Sequence, residues 1–410
     1  MICVIGGGPA GCMAAFAAAK QGASVRLFEQ NEKLGKKWYI TGKGRCNLTN
    51  DQPMDIHLQH VRRNPKFLWS AYAHYTKDDI QDFFTKRHVP VKTERGERVF
   101  PESDKSSDTI AAFEKALQKA GVTVSLHTKV ESVSPAEDGF FLRTKEGNVH
   151  ARAVIIATGG LSYASTGATG DGYTWAKEAG HTVTPLYPSL VGLNLEPAFP
   201  DLSGLSLRNV ELTASCGKKK MSRFGELLFT NYGISGPIVL QLSAERPVPP
   251  SEFSLSLNLK PALQPHRLDA RLQREAQKMQ GKQMKTLLLG LLPSSLVPHV
   301  LKQAGVDETK KAAVLTAKER RRLVETMQGF RLIPGSFRGF NEAVITRGGV
   351  SVREIESGSM MSKKMPGMFF AGEVLDVDAD TGGYNLQIAW STASLAGSAA
   401  AKFVQAGGAE

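Results

Sequence analysis

Ile2-Cys-Val-Ile5 runs directly into Gly6-Gly7-Gly8-Pro9-Ala10-Gly11, and Ser24-Val-Arg-Leu-Phe-Glu29 follows the alanine-rich stretch that ends at Lys20. The first run is apolar and short, as a buried strand is. The alanines of Pro9–Lys20 favour helix, and Gly22 stops it. The next run, Ser24 to Glu29, reads as a second strand. Strand, tight turn, helix and strand within 29 residues make one βαβ unit. Within it Gly6-x-Gly8-x-x-Gly11 stands where a strand meets a helix. Gly6 permits the turn, Gly8 lets the backbone approach a pyrophosphate, and Gly11 lets helix and strand pack closely. The helix N-terminus presents free N–H groups and partial positive charge to an anion. Glu29, 18 residues beyond Gly11, is placed to accept hydrogen bonds from ribose hydroxyls. The chain therefore binds a dinucleotide, which this fingerprint alone leaves open between NAD and FAD.

Working outward, residues 31–50 are rich in glycine and lysine and read as a long loop. Segments 65–88 and 105–120 carry apolar residues at three- and four-residue spacing and read as helices. Strands are expected over 122–126, 129–133, 139–144 and 148–157, the last running into Ala157-Thr158-Gly159-Gly160. Around residue 190 the pattern changes to short alternating runs, such as Phe253-Ser-Leu-Ser-Leu-Asn-Leu259, which suggest a small β-structure through residue 260. Residues 265–330 then show helical spacing interrupted at Pro293 and Pro298. Glycine turns return from about 345, and Gly367–Ala371 reads as a strand ending at Gly372. The expected organisation is a nucleotide-binding domain in two parts, 1–190 and 346–410. Residues 191–345 are inserted between them, with a helical part at about 265–330.

Composition bounds the rest. The 410 residues are 41% hydrophobic and 22% charged, an ordinary globular balance that excludes disorder for the bulk of the chain. The net charge of +12 comes from basic residues that read as mostly scattered, with short clusters at Lys218–Lys220 and Arg320–Arg322. Neither cluster alternates with stacking aromatics, so a basic surface useful for anionic cofactors is the plain reading, and no nucleic-acid partner is expected. Four cysteines without metal spacing or a CxxC pair indicate neither zinc nor a disulfide framework, and no metal site is expected. No apolar run approaches the roughly 20 residues needed to cross a bilayer. A soluble, cytoplasmic protein with no membrane partner is expected.

Three further blocks carry a family resemblance: Gly42-x-Gly44-Arg45-Cys46-Asn47-x-Thr49-Asn50, the pair of turns Thr158-Gly159-Gly160 and Thr166-Gly167-x-Thr169-Gly170-Asp171-Gly172, and Gly372-Glu373-Val374-Leu375-Asp376 with Gly382-Gly383-Tyr384-Asn385-Leu386-Gln387. Taken with the first glycine loop, they make the whole chain resemble the BaiN/YhiN-type bacterial FAD-dependent oxidoreductases. That resemblance implies a Rossmann-like, glutathione-reductase-like α/β FAD domain with an inserted β-rich domain and a small helical one. It implies non-covalent FAD and cofactor contacts at Gly6, Gly8, Pro9, Ala10, Gly11, Glu29, Gln30 and Lys36. Further contacts fall at Gly42, Gly44, Arg45, Cys46, Asn47 and Thr49, at Val130, and at Thr158, Gly159 and Gly160. The last group is Gly372, Glu373, Asp376, Gly383, Tyr384, Asn385 and Leu386.

Lys43, Ala164 and Asn231 depart from the pattern of similar proteins, and Asn231 replaces a histidine common among them, so no acid–base residue is carried over. Cys46 reads as a buried small residue rather than a redox thiol, because no second cysteine lies nearby. Arg45 either binds phosphate or orders its loop. Tyr163 and Tyr384 either touch substrate or wall the flavin pocket.

The expected activity is hydride transfer between a small organic substrate and flavin N5. The resemblance implies reduction of conjugated ketones in some members and amine oxidation in others. No second GxGxxG follows a strand, so NAD(P)H would act as a transient co-substrate, or dioxygen as the oxidant. Two rivals are a tRNA-modifying or RNA-binding flavoprotein, argued from charge alone, and a redox sensor without turnover. The inserted segment is expected to fold over the flavin and select substrate, through residues such as Asn231, Tyr232 and Ser235.

Overall fold

The computed structural model describes residues 1–245 and 249–407. Its centre is a five-stranded parallel sheet. In chain order the strands are β1 (Ile2–Ile5), β2 (Val25–Phe28), β3 (Thr123–Ser125), β4 (Ala153–Ile156) and β5 (Met368–Phe370), and in space they lie β5-β4-β1-β2-β3. Strands β1 and β4 are buried at every position and contain only Ile, Val, Ala and Cys. Parallel strands covered on both faces require that composition. Register is continuous, with Ile5 opposite both Ile156 and Phe28.

Helix α1 (Pro9–Lys20) begins with proline at its first position and has Gly8 as N-cap. It packs against α2 (Tyr384–Ala406), a 23-residue helix whose residues 387–398 are all buried. The two backbones approach so closely that a Cβ at Gly397 would run into the Ala14 carbonyl. The α/β Rossmann fold expected from the sequence is what the structure shows.

Between β3 and β4 the chain forms a three-stranded antiparallel meander, Val130–Ala136, Gly139–Thr144 and Gly147–Ala151. Two local expectations need correction. Residues 31–50 contain a short helix, Lys36–Ile40, followed by a tight helical turn at Thr41–Gly44. The 65–88 segment is three short helices rather than one, because Tyr75 turns extended and Thr76 starts a new helix with a capping box to Asp79.

Residues 1–189 and 340–410 form one compact unit and residues 190–339 another. Residues 340–345 belong with the first because Ile345–Arg347 pairs antiparallel with Tyr187–Ser189. The second unit has a seven-stranded sheet built on the long hairpin Ser206–Cys216 and Lys219–Thr230. Helices Pro265–Lys278, Met284–Leu288, Val297–Ala304 and Ala317–Gln328 share its hydrophobic core through Leu268, Leu272, Leu288, Leu301 and Leu323.

The basic excess is not evenly scattered, contrary to the reading above. Residues 190–339 hold 22 of the 51 Lys and Arg but 12 of the 39 Asp and Glu, which is +10 of the chain's +12. Among the described residues no helix is long and apolar enough to cross a membrane.

Candidate active site

Parallel strands leave their carboxyl ends on one edge, and the crevice there is where open α/β sheets hold ligands. At that edge β1 delivers Gly6–Gly8, β2 delivers Glu29, β4 delivers Thr158–Gly160 and β5 delivers Gly372. Sheet order makes these four segments neighbours although 366 positions separate the first from the last.

The glycines of the first loop differ in what they do. Gly6 has φ +108°, and a Cβ on it would come within 2.5 Å of the Ala157 carbonyl oxygen. A Cβ on Gly11 would overlap the Gly6 carbonyl. A Cβ on Gly8 would meet nothing within 4 Å among the described residues. Gly6 and Gly11 therefore serve the protein's own packing, whereas Gly8, at the N-cap of α1, faces open space that an anion can enter. Pro9 and Ala10 open the helix, and Ala10 is the residue that a Cβ on Gly372 would strike, at 2.7 Å.

Glu29 is buried, and its carboxylate is already partly satisfied. One oxygen accepts from Gly7 N–H at 2.7 Å; the other accepts from the backbone N–H of Asn31 at 2.8 Å and its side-chain amide at 2.6 Å. A carboxylate has about four acceptor positions, so about one is left for a ribose hydroxyl. Gln30 donates to the Gly167 carbonyl at 2.7 Å, and Lys36 bridges Asn31 and Glu32.

The Gly42–Asn47 loop makes a left-handed excursion, with positive φ at Gly42, Lys43, Gly44 and Cys46. Arg45 is its clamp: it pairs with Glu94 and Asp104 and lies 4.2 Å over the Phe100 ring. These two carboxylates tie the Arg45 guanidinium to the strand and turn that face its loop. Cys46 is fully buried and accepts from Trp38 Nε1 at 2.9 Å, and burial pushes its thiol up to about 11. Cys3 and Cys12 are also buried. A native-state thiol titration at pH 8 should therefore find one fast-reacting group, Cys216, of the four; rapid labelling of Cys46 would contradict its burial.

Thr49 donates to Gln387 on α2 at 2.7 Å. The Thr49 carbonyl lies so close to Gly383, which has φ +104°, that no side chain fits there. Asn47, with its amide turned to satisfy both ends, accepts from Gly383 N–H at 3.0 Å. Asn385 staples the preceding loop to the first turn of α2 by accepting from Ala379 N–H and donating to the Ala379 carbonyl. Tyr384 stacks on His60 at 4.3 Å and is buried at this end of the strand-edge loops. Leu386 is half-buried beside it, while Val130 is buried in the meander.

Glu373 is committed elsewhere. Its carboxylate accepts from Lys37 Nζ at 2.7 Å, Ser162 Oγ at 3.0 Å and Thr346 N–H at 2.8 Å. A Cβ on Gly160 would collide with Thr346. These contacts fix the turn after β4 against the turn after β5.

The sequence reading missed a charged ribbon. Residues 60–64 run antiparallel to 376–380, with Arg62 N–H donating to the Asp378 carbonyl and Asp380 N–H to the His60 carbonyl. Arg62 grips Asp380 through two bonds of 2.7 and 2.6 Å, and Arg63 donates to Asp376 at 2.7 Å. Between them Asp378 is 1% exposed, and among the described residues neither of its carboxylate oxygens has a hydrogen-bond partner. One oxygen of Asp376, the Thr158 hydroxyl and the Tyr173 hydroxyl are likewise buried without partners among the described residues. Buried polar atoms are otherwise almost always paired, so this group of orphans at the strand ends is suited to a polar ligand. The alternation Asp376-x-Asp378-x-Asp380 in an extended stretch was the available signal, and Arg62-Arg63 supplied the counter-charge.

These features fit a dinucleotide: open space at Gly8, a helix N-terminus behind it, a spare acceptor on Glu29 and unpaired polar atoms along the same edge. Comparison with known proteins agrees. The family described as "HI0933-like protein Rossmann domain" matches residues 1–399. The chain is 31% identical over 405 residues to a 3-dehydro-bile acid delta(4,6)-reductase of Clostridium scindens, covering 97% of this chain and 98% of that one. It is 34% identical to a ribosomal RNA dihydrouridine synthase of Haemophilus influenzae, covering 95% and 96%. Its identity to the ribosomal RNA dihydrouridine synthase of Escherichia coli is 33%, covering 95% of each.

Proposed function

The chain belongs to the HI0933-like Rossmann family, and from that premise we propose that it is an FAD-dependent reductase of a carbon–carbon double bond conjugated to a carbonyl. The observation that carries this reading is the strand-end cradle, in which a dinucleotide-sized set of loops converges on unpaired buried polar groups. The relatives supply the substrate chemistry. A delta(4,6)-reductase of a 3-dehydro-bile acid and a dihydrouridine synthase are named for saturating a double bond that lies in conjugation with a carbonyl. The balanced reaction adds a hydride and a proton across that bond at the expense of NAD(P)H.

FAD bound here would carry the hydride between donor and substrate. The protein's own residues do the rest. Gly6–Gly8 and the N-terminus of α1 hold the pyrophosphate, and Glu29 takes a ribose hydroxyl. Thr158–Gly160 and Gly372–Asp376 would hold the middle of the cofactor. Gly383 and Tyr384, at the positive end of α2, would face the part of a bound flavin that becomes more negative when it is reduced. The test is anaerobic titration of the yellow protein with NADH and NADPH, followed by addition of a conjugated cyclic enone. Bleaching by one donor and recovery of colour with a stoichiometric yield of saturated product is the expected result. Recovery only on admitting air would point to an oxidase instead.

A second reading, in which the double bond belongs to a uracil ring within RNA, is favoured by the +10 charge carried by residues 190–339. For either substrate, the hairpin turn at Asn231 and Tyr232 is proposed to influence substrate choice. Tyr232 is 69% exposed there, between Lys219–Thr230 and Gly233–Ser235. Substitutions at Asn231, Tyr232 or Ser235 should change turnover while flavin content stays near normal. Flavin loss in parallel with lost rate would rule that role out.

A further inference from the structure

Helix Pro265–Lys278 places Arg267, Arg271, Arg274 and Lys278 at intervals of four, three and four residues, which is one face of an α-helix. The stripe is about 16 Å long at 1.5 Å per residue. Arg267, Arg274 and Lys278 are exposed, and Arg271 is half-buried. The helix's two acids do not neutralise it: Asp269 turns away to pair with Arg320 at 2.7 Å, and Glu275 lies on the flank near the core. A fifth cation sits alongside. Lys260 is half-buried, and that burial, with the nearby Arg271 guanidinium adding to it, holds its ammonium below the ordinary range. Crowding like charges costs stability in the free protein, and a polyanion would remove that cost.

We propose that this face is a docking surface for the phosphate backbone of helical RNA. The side chains argue for that partner. The stripe carries no aromatic residue, so it lacks the stacking platforms that hold single-stranded bases. It also carries no exposed large apolar side chain to enter a lipid surface, because Leu268 and Leu272 are fully buried in the core. Arginine and lysine spaced along a rigid rod suit the phosphates of a paired helix, read by shape rather than sequence. The proposal deepens the RNA reading above by naming the surface, and its test needs no turnover.

The flavin-loaded protein would be titrated with an RNA duplex of about 20 base pairs over a range of salt concentrations. Each phosphate contact contributes about 0.9 to the slope of log affinity against log salt. The variant Arg267→Glu, Arg274→Glu, Lys278→Glu should flatten that slope by about 3 and weaken binding about 10- to 100-fold at 0.1 M salt. The corresponding Gln variant should show a smaller change in the same direction. A charge-matched control, Lys115→Glu, Lys119→Glu, Lys145→Glu, on exposed positions of the other unit, should stay within about twofold. Equal losses in both variants, or no duplex binding by the parent protein, would overturn the proposal. So would binding to anionic lipid vesicles that depends on the same three residues as strongly as RNA binding does. Flavin reduction by NAD(P)H, measured on the same samples, scores the redox reading separately.

Discussion

Gly8→Val should give a folded protein that purifies almost without flavin, at less than about a tenth of the parent's content. The space a Cβ would occupy at Gly8 is open, so nothing among the described residues resists the substitution. The valine would instead fill the position where a pyrophosphate approaches the N-terminus of α1. A loss of 100-fold or more in affinity corresponds to about 2.7 kcal/mol. Gly11→Val provides the contrast, because its Cβ would overlap the Gly6 carbonyl, and it should lower stability even without cofactor. Flavin content by absorbance and thermal unfolding of the apoprotein separate the two effects. A Gly8→Val protein with full flavin would show that the first glycine loop does not hold the cofactor.

Asp378→Asn should stabilise the apoprotein at pH 8 and leave it unchanged below about pH 4. Burial raises the Asp378 carboxyl to about 6, outweighing the attraction of Arg347, Arg63 and Arg62, while nearby Asp376 pushes the same way. A carboxyl raised in the folded state binds its proton more tightly there than in the unfolded chain. Native stability therefore falls as pH rises from about 4 to about 6, and remains on the lower plateau above that. About two pKa steps correspond to about 2–3 kcal/mol. That would move the midpoint of unfolding by roughly 5–10 °C in a domain of this size. Unfolding curves for both proteins from pH 4 to pH 8 make the comparison. A difference that does not change with pH would mean that Asp378 is satisfied in a way the structure does not show.

Much of the fold follows from short stretches of sequence. The bounds of β1 and α1 coincide with the apolar run and the Pro9–Lys20 segment, because one buried strand, one glycine turn and one alanine-rich helix are each specified locally. The break at Tyr75–Thr76 was missed although its signal is equally local: Thr76 and Asp79 form the capping box, and apolar spacing on both sides of it masked the interruption.

Charge is where local reading failed. Arg45 reads equally as a phosphate ligand or a loop clamp until Glu94 and Asp104, 49 and 59 positions away, are seen to neutralise it. Glu373 looks available until Lys37, Ser162 and Thr346 close on it. Arg62 and Asp380 lie 318 positions apart and form one bidentate pair. Composition yields a net charge of +12, but only the division into two units shows that +10 of it belongs to one of them. The sequence by itself determined the βαβ unit, because backbone preference and apolar periodicity act between near neighbours. The tertiary structure alone decided which charges are spent on the protein and which, like Asp378 and the Arg267–Lys278 stripe, have no ion-pair or hydrogen-bond partner among the described residues. Whether a charge is neutralised depends on what packing brings within a few ångströms of it, and separation along the chain does not report that distance.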